Sequence, residues 1–198
     1  MSSGIDIQFV RETYQKMSDK ELIRTLTQDA TGLTPEAQEI VKDEIKRRNL
    51  DPNIIKGVDA QQKSYTATEI DAYCNIIQKL PCPVTGSSLE KLNATQTAEV
   101  ISIVFHTEYK TKIVIGSPAI LNKANNAAIF KTVLLGWWGF PWGIFRTIQA
   151  IGINLKNKKT NGIGSPNKFL RSFVLSKIGE IETYKDNKKK LLEIISDG

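Results

Sequence analysis

The chain has 198 residues, of which 40% are hydrophobic and 24% are charged, and its formal net charge is +6. This balance is typical of a globular protein and excludes a disordered or collagen-like chain. Two cysteines are too few for a disulfide framework. The first ten residues lack the basic and apolar regions of a secretory signal, which predicts a cytoplasmic protein.

The excess positive charge lies in the last third of the chain. Residues 123–198 carry 13 lysines and arginines against 5 aspartates and glutamates, a net charge of +8. A field of this sign favours an anionic partner, either a phosphate backbone or anionic lipid headgroups. The alternative is a solvated basic surface that keeps the protein in solution.

The N-terminal residues, 1–53, predict a helical hairpin. Ser18 is followed three residues later by Glu21, a capping box in which each side chain accepts a hydrogen bond from a free backbone N–H of the first turn. Thr34 followed by Pro35 marks a second helix start, because proline at the first helical position sacrifices no hydrogen bond.

Residues 54–63 are polar, contain Gly57 and lack apolar periodicity, which predicts a linker. The remaining residues, 64–198, predict a second domain. It opens with a helix that ends before Pro81. Cys74 lies on the apolar face of this helix and is interpreted as a small buried side chain.

An alternating apolar pattern follows and predicts an antiparallel β-hairpin. Its strands are expected at 100–106 and 112–115, joined by residues 107–110, with a third strand near 92–97. Three apolar side chains of the first strand point to one side: Ile101, Ile103 and Phe105.

Two helices are predicted near the C-terminus, one up to Gly179 and one over 181–195. Ser165 and Pro166 supply the N-cap and the first helical residue of the former. The predicted fold class is α+β: an N-terminal helical hairpin, then a small antiparallel β-hairpin packed with C-terminal helices.

Two short turns flank the predicted β-hairpin, Cys82–Gly86 before it and Gly116–Ile120 after it. Each has the outline of a zinc knuckle, and residues 135–143 read Leu-Gly-Trp-Trp-Gly-Phe-Pro-Trp-Gly. With these features the chain resembles, from about residue 14 to residue 192, a group of uncharacterised bacterial zinc-ribbon-like proteins. The resemblance implies a zinc-ribbon-like β-hairpin.

The resemblance also places four metal-ligand positions in this chain, at Cys82, Thr85, Ser117 and Ile120. A structural zinc site needs four soft ligands, and of these residues only the cysteine supplies one. The knuckles are therefore interpreted as vestigial, with no zinc or other cofactor. Without metal, we expect packing against residues 64–80 and 165–195 to hold the hairpin.

The segment 127–155 is the most apolar of the chain and contains all three tryptophans. Its uncharged run, Thr132 to Phe145, would extend about 21 Å as a helix, less than the roughly 30 Å of a hydrocarbon core. A single membrane span is therefore not predicted. The candidate interaction residues of this segment are Trp137, Trp138, Phe140, Pro141, Trp142, Lys131 and Arg146.

Two interpretations of the segment remain open. In the first, two short helices bent at Phe140-Pro141 dip into one leaflet, with tryptophans at the interface and the flanking cations among anionic headgroups. In the second, the segment is a buried helical hairpin whose glycines allow close backbone approach. Its tryptophans then fill the core or form a patch for a protein partner.

The predicted function is a non-catalytic interaction or scaffold protein, peripheral at the inner face of the cytoplasmic membrane or bound to a protein partner. The sequence indicates neither catalysis nor a small-molecule substrate. It has a single histidine and suggests no Cys-His pair, and its glycine-rich stretch at 162–165 lacks a phosphate-loop ending. Two alternatives are a zinc-ribbon-derived nucleic-acid-binding module, favoured by the basic C-terminal third, and an enzyme of unrecognised type.

Overall fold

The computed structural model of the chain describes residues 7–103 and 106–196. The chain divides into two compact units. The N-terminal unit comprises Met1–Thr66 and Lys177–Asn187, and the hairpin unit comprises Ala67–Ser176 and Lys188–Gly198.

The described residues form ten helices and one β-hairpin, so the predicted α+β class is confirmed. The first five helices are α1 (Ile7–Lys16), α2 (Asp19–Gln28), α3 (Pro35–Arg47), α4 (Asn53–Gln62) and α5 (Ala67–Gln78). The two strands are β1 (Asn93–Ile103) and β2 (His106–Gly116). The remaining helices are α6 (Pro118–Leu135), α7 (Trp142–Lys158), α8 (Lys168–Ser176), α9 (Ile178–Thr183) and α10 (Lys188–Ser196).

The helix starts predicted in the N-terminal unit are confirmed. The Ser18 hydroxyl accepts a hydrogen bond from the Glu21 backbone N–H, and the Glu21 carboxylate accepts one from the Ser18 N–H at 2.9 Å. The Thr34 hydroxyl accepts a hydrogen bond from the Ala37 backbone N–H at 3.3 Å and caps α3, whose first residue is Pro35. Local capping residues therefore determine where these helices begin.

The predicted linker at 54–63 is wrong, because residues 53–62 form helix α4. Ile54, Val58 and Ala60 are buried on its inner face. Gly57 allows α4 to approach α9 closely: a methyl group there would lie 2.5 Å from the carbonyl oxygen of Gly179. The glycine interpreted as a loop residue is therefore a packing residue inside a helix.

Aliphatic side chains from four helices form the core of the N-terminal unit. Its buried members are Tyr14, Leu22, Leu26, Ala30, Ile40, Val41, Ile45, Ile54 and Val58. Helices α2, α3 and α4 direct these side chains inward at spacings of three and four residues, as helices in water do.

One charged group is buried in the N-terminal unit. Glu44 accepts hydrogen bonds from Arg47 at 2.6 and 2.9 Å and from Arg48 at 2.6 Å. Arg48 also donates to the carbonyl oxygens of Tyr14 and Met17 at the end of α1. The buried carboxylate is therefore fully paired, as a charge in a low-dielectric site must be.

The β-hairpin is longer than predicted. Strand β1 pairs with β2 in antiparallel register from Asn93 opposite Gly116 to Ile103 opposite His106. The predicted connection at 107–110 lies within β2, and the predicted third strand near 92–97 is the beginning of β1.

The apolar face predicted for the first strand is also wrong. Ile103 is exposed and Ile101 is half-buried, whereas Ala98 and Val100 are buried. Phe105 lies outside the described residues. From Ala98 to Ser102, the buried residues of β1 thus alternate with the predicted ones, whereas residues 93–95 are all buried.

The helices that cover the hairpin differ in part from those expected. Helix α8 contacts β1, but α6 and α7 contact it more extensively. The last helix predicted, at 181–195, is two helices: α9 belongs to the N-terminal unit, while α10 belongs to the hairpin unit.

Candidate functional site

Helices α6 and α7, with the turn at 136–141, form a helical hairpin whose inner face is mostly polar or small. Buried residues recur at spacings of three, four or seven. On α6 they are Leu121, Asn125, Ala128 and Thr132, and on α7 they are Gly143, Thr147, Ala150, Asn154 and Asn157.

These polar side chains hydrogen-bond the outer edge of β1. The Ala98 N–H donates to Asn154 Oδ1 at 3.3 Å, and Asn154 Nδ2 donates to the Ala98 carbonyl at 2.7 Å. The Val100 N–H donates to Thr132 Oγ1 at 3.1 Å. A single asparagine thus satisfies both backbone groups of one strand residue, as a neighbouring strand would.

Two further asparagines extend the pattern along the strand. Asn157 Nδ2 donates to the Gln96 carbonyl at 2.8 Å, and Asn167 Nδ2 donates to the Ala94 carbonyl at 2.6 Å. Every second residue of β1, from 94 to 100, therefore has a side-chain partner at its outer edge. The buried amides replace a third strand, and they cover an edge that would otherwise present unpaired backbone groups.

The asparagines also bond to one another. Asn125 Nδ2 donates to Asn154 Oδ1 at 3.0 Å, and Asn125 Oδ1 accepts from Asn161 Nδ2 and from Thr95 Oγ1, each at 3.0 Å. All four residues are 0% exposed. The network connects all four side chains, although Asn161 Oδ1 is buried without a hydrogen-bond partner.

Glycines bring the turn of the helical hairpin against the end of the β-hairpin. A methyl group at Gly143 would lie 2.7 Å from the Gly136 carbonyl oxygen and 2.9 Å from Ser102 Oγ. A methyl group at Gly139 would lie 3.0 Å from the same serine. The Gly-Trp-Trp-Gly-Phe-Pro-Trp-Gly sequence therefore alternates contact glycines with outward aromatic residues.

The outer surface at this end is apolar, and we call it the apolar tip. Its exposed members are Ile103, Phe130, Val133, Leu134, Leu135, Trp137, Trp138, Phe140, Trp142, Ile144, Phe145 and Ile148. The interpretation that the tryptophans fill a core is therefore wrong. The tryptophans are exposed, as they would be at a membrane interface or in a patch for a protein partner.

The predicted interaction residues lie together at this tip. Trp138 is 70% exposed, Phe140 80% and Trp142 69%, whereas Trp137 is 43% exposed. Pro141 is exposed beside them. The indole N–H of Trp138 donates to the Leu134 carbonyl at 3.0 Å, so its polar group already has a partner within the protein.

The two predicted cations flank the tip. Lys131 Nζ lies 3.2 Å from the Glu99 carboxylate. The Arg146 guanidinium lies over the Tyr109 ring, 5.5 Å from its centroid, and donates to Gln149 at 3.1 Å. One cation is neutralised by a carboxylate, and the other is held in place by uncharged groups.

The residues that sequence reasoning missed are the buried asparagines and threonines. A pattern could have identified them, because Asn125 and Thr132, and likewise Thr147 and Asn154, are seven residues apart within an apolar segment. Such spacing places polar side chains on one helix face. In a helix of a water-soluble protein that face points outward, but here it points inward.

Of the four predicted knuckle positions, Cys82 is buried, and Thr85 and Ser117 lie around its sulfur. Burial raises the pKa of its thiol, but hydrogen bonds from the Ser117 and Val84 backbones and from the side chain and backbone of Thr85 outweigh burial. Together these effects lower the pKa to about 7. Backbone N–H groups thus occupy the space around the sulfur.

Ile120 contributes a hydrocarbon wall near the same place. A methyl group at Gly116 would lie 3.0 Å from the Ile120 side chain and 3.8 Å from Cys82 Sγ. Among the described residues, no three or more His, Cys, Asp or Glu side chains are grouped to hold a metal ion. Cys74 is buried, as predicted, and burial raises its pKa to about 11.

Neither helix of the hairpin is a membrane span: within residues 7–103 and 106–196, no helix combines the length and the hydropathy that crossing a bilayer requires. Comparison of the chain with family models, with curated proteins and with solved structures gives no match.

Proposed function

We propose that this protein is a non-catalytic interaction protein that attaches to the inner face of the cytoplasmic membrane by inserting its apolar tip into one leaflet. One observation carries the proposal: the helical hairpin of α6 and α7 has its polar side chains inside and its aromatic and aliphatic side chains outside.

An apolar medium around the tip accounts for this polarity. In hydrocarbon, each backbone or side-chain polar group needs a partner within the protein. The amides of α6 and α7 supply such partners to β1, and the Trp138 indole N–H has one in Leu134. Thr147 Oγ1 on α7 is an exception, buried without a partner. In water the same outward side chains would stay exposed, and the protein would not gain the hydrophobic free energy that their transfer into hydrocarbon provides.

The dimensions of the tip suit one leaflet. Its uncharged run comprises residues 132–135 of α6, the turn and residues 142–145 of α7. Four helical residues rise about 6 Å, and the turn adds a few ångströms beyond them. Interfacial helices bury their apolar face about 5–10 Å deep, so Lys131 and Arg146 would lie at the level of the headgroups.

Charge adds a long-range attraction but does not set the orientation. Residues 123–198 carry a net charge of +8, which an anionic inner leaflet attracts. Lys123 lies eight helical residues from Lys131, about 12 Å, so the cations next to the headgroups are Lys131 and Arg146. Tryptophans at the boundary add their own preference for the interface.

Flotation with liposomes tests the proposal on the full chain. We expect the protein to float with vesicles containing phosphatidylglycerol and to float less with phosphatidylcholine alone. Replacing Trp138 and Phe145 together by alanine should weaken binding about a hundredfold or more, since each large apolar side chain is worth about 1.5–3 kcal/mol on transfer.

A matched double variant controls for the general loss of exposed apolar surface. Phe9 and Leu89 are exposed and lie outside the tip, so their replacement by alanine should leave flotation unchanged. Far-UV circular dichroism should be the same for both double variants, because none of the four side chains is buried. The proposal is wrong if the wild type floats with neither vesicle, or if both double variants bind alike.

A further inference from the structure

One side of the apolar tip contains a polar notch, a concave site of about 410 Å³. Its lining residues are His106, Thr107, Tyr109, Phe140, Trp142 and Arg146. Aromatic side chains from the turn and from α7 form one wall, and the beginning of β2 forms the other. The notch is therefore the place where polar side chains interrupt an otherwise apolar surface.

Arg146 is the charged group of the notch. Its guanidinium is held over the Tyr109 ring, and one of its nitrogens donates to Gln149. Within the described part of the chain, no carboxylate lies at ion-pair distance from it. A guanidinium has five N–H donors in a planar fork, so most of the donors of Arg146 remain available to a ligand.

Its counterpart on α6 differs in this respect. Lys131 carries the same charge at the other flank of the tip, but the Glu99 carboxylate contacts it at 3.2 and 3.4 Å. Of the two cations that flank the tip, Arg146 is therefore the one without a carboxylate partner among the described residues. At the level of the headgroups, an arginine without a carboxylate partner attracts an anion, so this position calls for one.

We propose that the notch binds the phosphate group of an anionic phospholipid, an inference that rests on the membrane attachment proposed above. The phosphodiester accepts paired hydrogen bonds from Arg146, as phosphate does in a fork-to-fork contact. The exposed ring of His106 adds a donor on the opposite wall.

The aromatic wall explains why the phosphate belongs to a lipid. Phe140 and Trp142 present apolar faces that suit the glycerol and the first acyl carbons next to the phosphate. A free phosphate ion has no such part. Choline in a zwitterionic lipid would compete with Arg146 for the same phosphate, and phosphatidylglycerol carries no such cation, so the notch favours anionic headgroups.

Equilibrium binding of the full chain to vesicles tests the notch. We expect Arg146→Gln to weaken binding to phosphatidylglycerol-containing vesicles about tenfold more than Lys131→Gln does, because the latter removes the same charge from outside the notch. The loss of a hydrogen bond to a charged group lowers the affinity about tenfold or more. Arg146→Lys should restore binding only in part, since lysine keeps the charge and loses the fork.

The outcomes separate the notch from the tip. If Arg146→Gln and Lys131→Gln weaken binding equally, general electrostatic attraction explains both losses. The inference that the notch binds a lipid phosphate is then wrong, while the proposed insertion of the tip is unaffected. If inorganic phosphate binds the full chain without vesicles and Arg146→Gln abolishes that binding, yet vesicle binding falls no more than with Lys131→Gln, free phosphate is the ligand and the inference is overturned. If the wild type binds no vesicle, both proposals fail together.

Discussion

The N-terminal unit and the helical hairpin of α6 and α7 bury residues of opposite polarity. The first buries leucine, isoleucine and valine and exposes charged side chains, whereas the second buries asparagine, threonine, glycine and alanine and exposes tryptophan, phenylalanine and isoleucine. Both are α-helical, and both place their buried residues at spacings of three and four.

The difference teaches that helical periodicity reports which residues share a face, while the surroundings decide which face is inside. For α2 to α4, the partners are other apolar helices, so burial of hydrocarbon stabilises the unit. For α6 and α7, the partner is the edge of β1, whose backbone groups need hydrogen bonds more than they need hydrocarbon.

The largest expected change in the free energy of unfolding comes from a substitution that disrupts the polar interior of the helical hairpin. Asn154→Leu removes the partners of Ala98 and of Asn125 at a fully buried site, so we expect the free energy of unfolding to fall by about 4 kcal/mol. Asn126→Leu, on the exposed face of α6, should change it by less than about 0.5 kcal/mol. Urea unfolding measures both, and equal losses would contradict the role given to the amides.

The next effect compares apolar side chains in the two regions. Leu22→Ala, at a fully buried position of the N-terminal unit, should cost about 3 kcal/mol. Phe130→Ala removes a larger side chain from the exposed face of α6 and should cost less than about 0.5 kcal/mol. The two variants are compared in detergent-free buffer, and a large loss for Phe130→Ala would show that the tip is packed in solution.

The third concerns the buried charge of the N-terminal unit. Hydrogen bonds from Arg47, then from Arg48, hold the pKa of Glu44 at about 2, below its ordinary 4.5. Because the folded-state pKa is the lower one, the stabilisation is present above about pH 5 and is lost as the pH falls towards 2.

Glu44→Gln should therefore lower the free energy of unfolding by about 2 kcal/mol at pH 7, with the difference from wild type vanishing near pH 2. Glu39→Gln is the control, because that exposed carboxylate pairs with Lys42 on the surface and its loss should have little effect. A difference that persists undiminished at pH 2 would contradict the assignment.

The smallest effect distinguishes two glycines of α7. Gly143→Ala places a methyl group against Gly136 and Ser102 and should cost about 1–2 kcal/mol. Gly152 has open space around it, so Gly152→Ala should instead stabilise the protein by about 0.5–1 kcal/mol. Thermal unfolding of the two variants checks the opposite signs, and two losses of similar size would be the contrary result.

Much of the fold was accessible from local residue patterns, and the misses have physical causes. Ser18 and Thr34 identified helix starts because a cap acts within one turn of its own position. Gly57 led to the wrong prediction of a linker, because a glycine in a polar stretch is typical of a loop. Here it permits a close approach to α9, which the neighbouring residues in the sequence do not indicate.

For the candidate site, the sequence singled out the aromatic residues of the tip but did not indicate their surroundings. Trp138, Phe140 and Trp142 stood out by type and density in an uncharged run. Whether they lay in a core or on a surface depended on which side of each helix meets β1, and a distant strand decides that.

By itself, the sequence determined the α+β class, the helix starts at Ser18 and Thr34 and a run of aromatic residues between two cations, because caps, alternation and charge act through neighbouring residues. Only the tertiary structure decided that the amides face inward and the aromatics outward. The reason is that an unpaired strand edge takes its hydrogen bonds from whichever side chains reach it, and those side chains lie about thirty to sixty residues further along the chain.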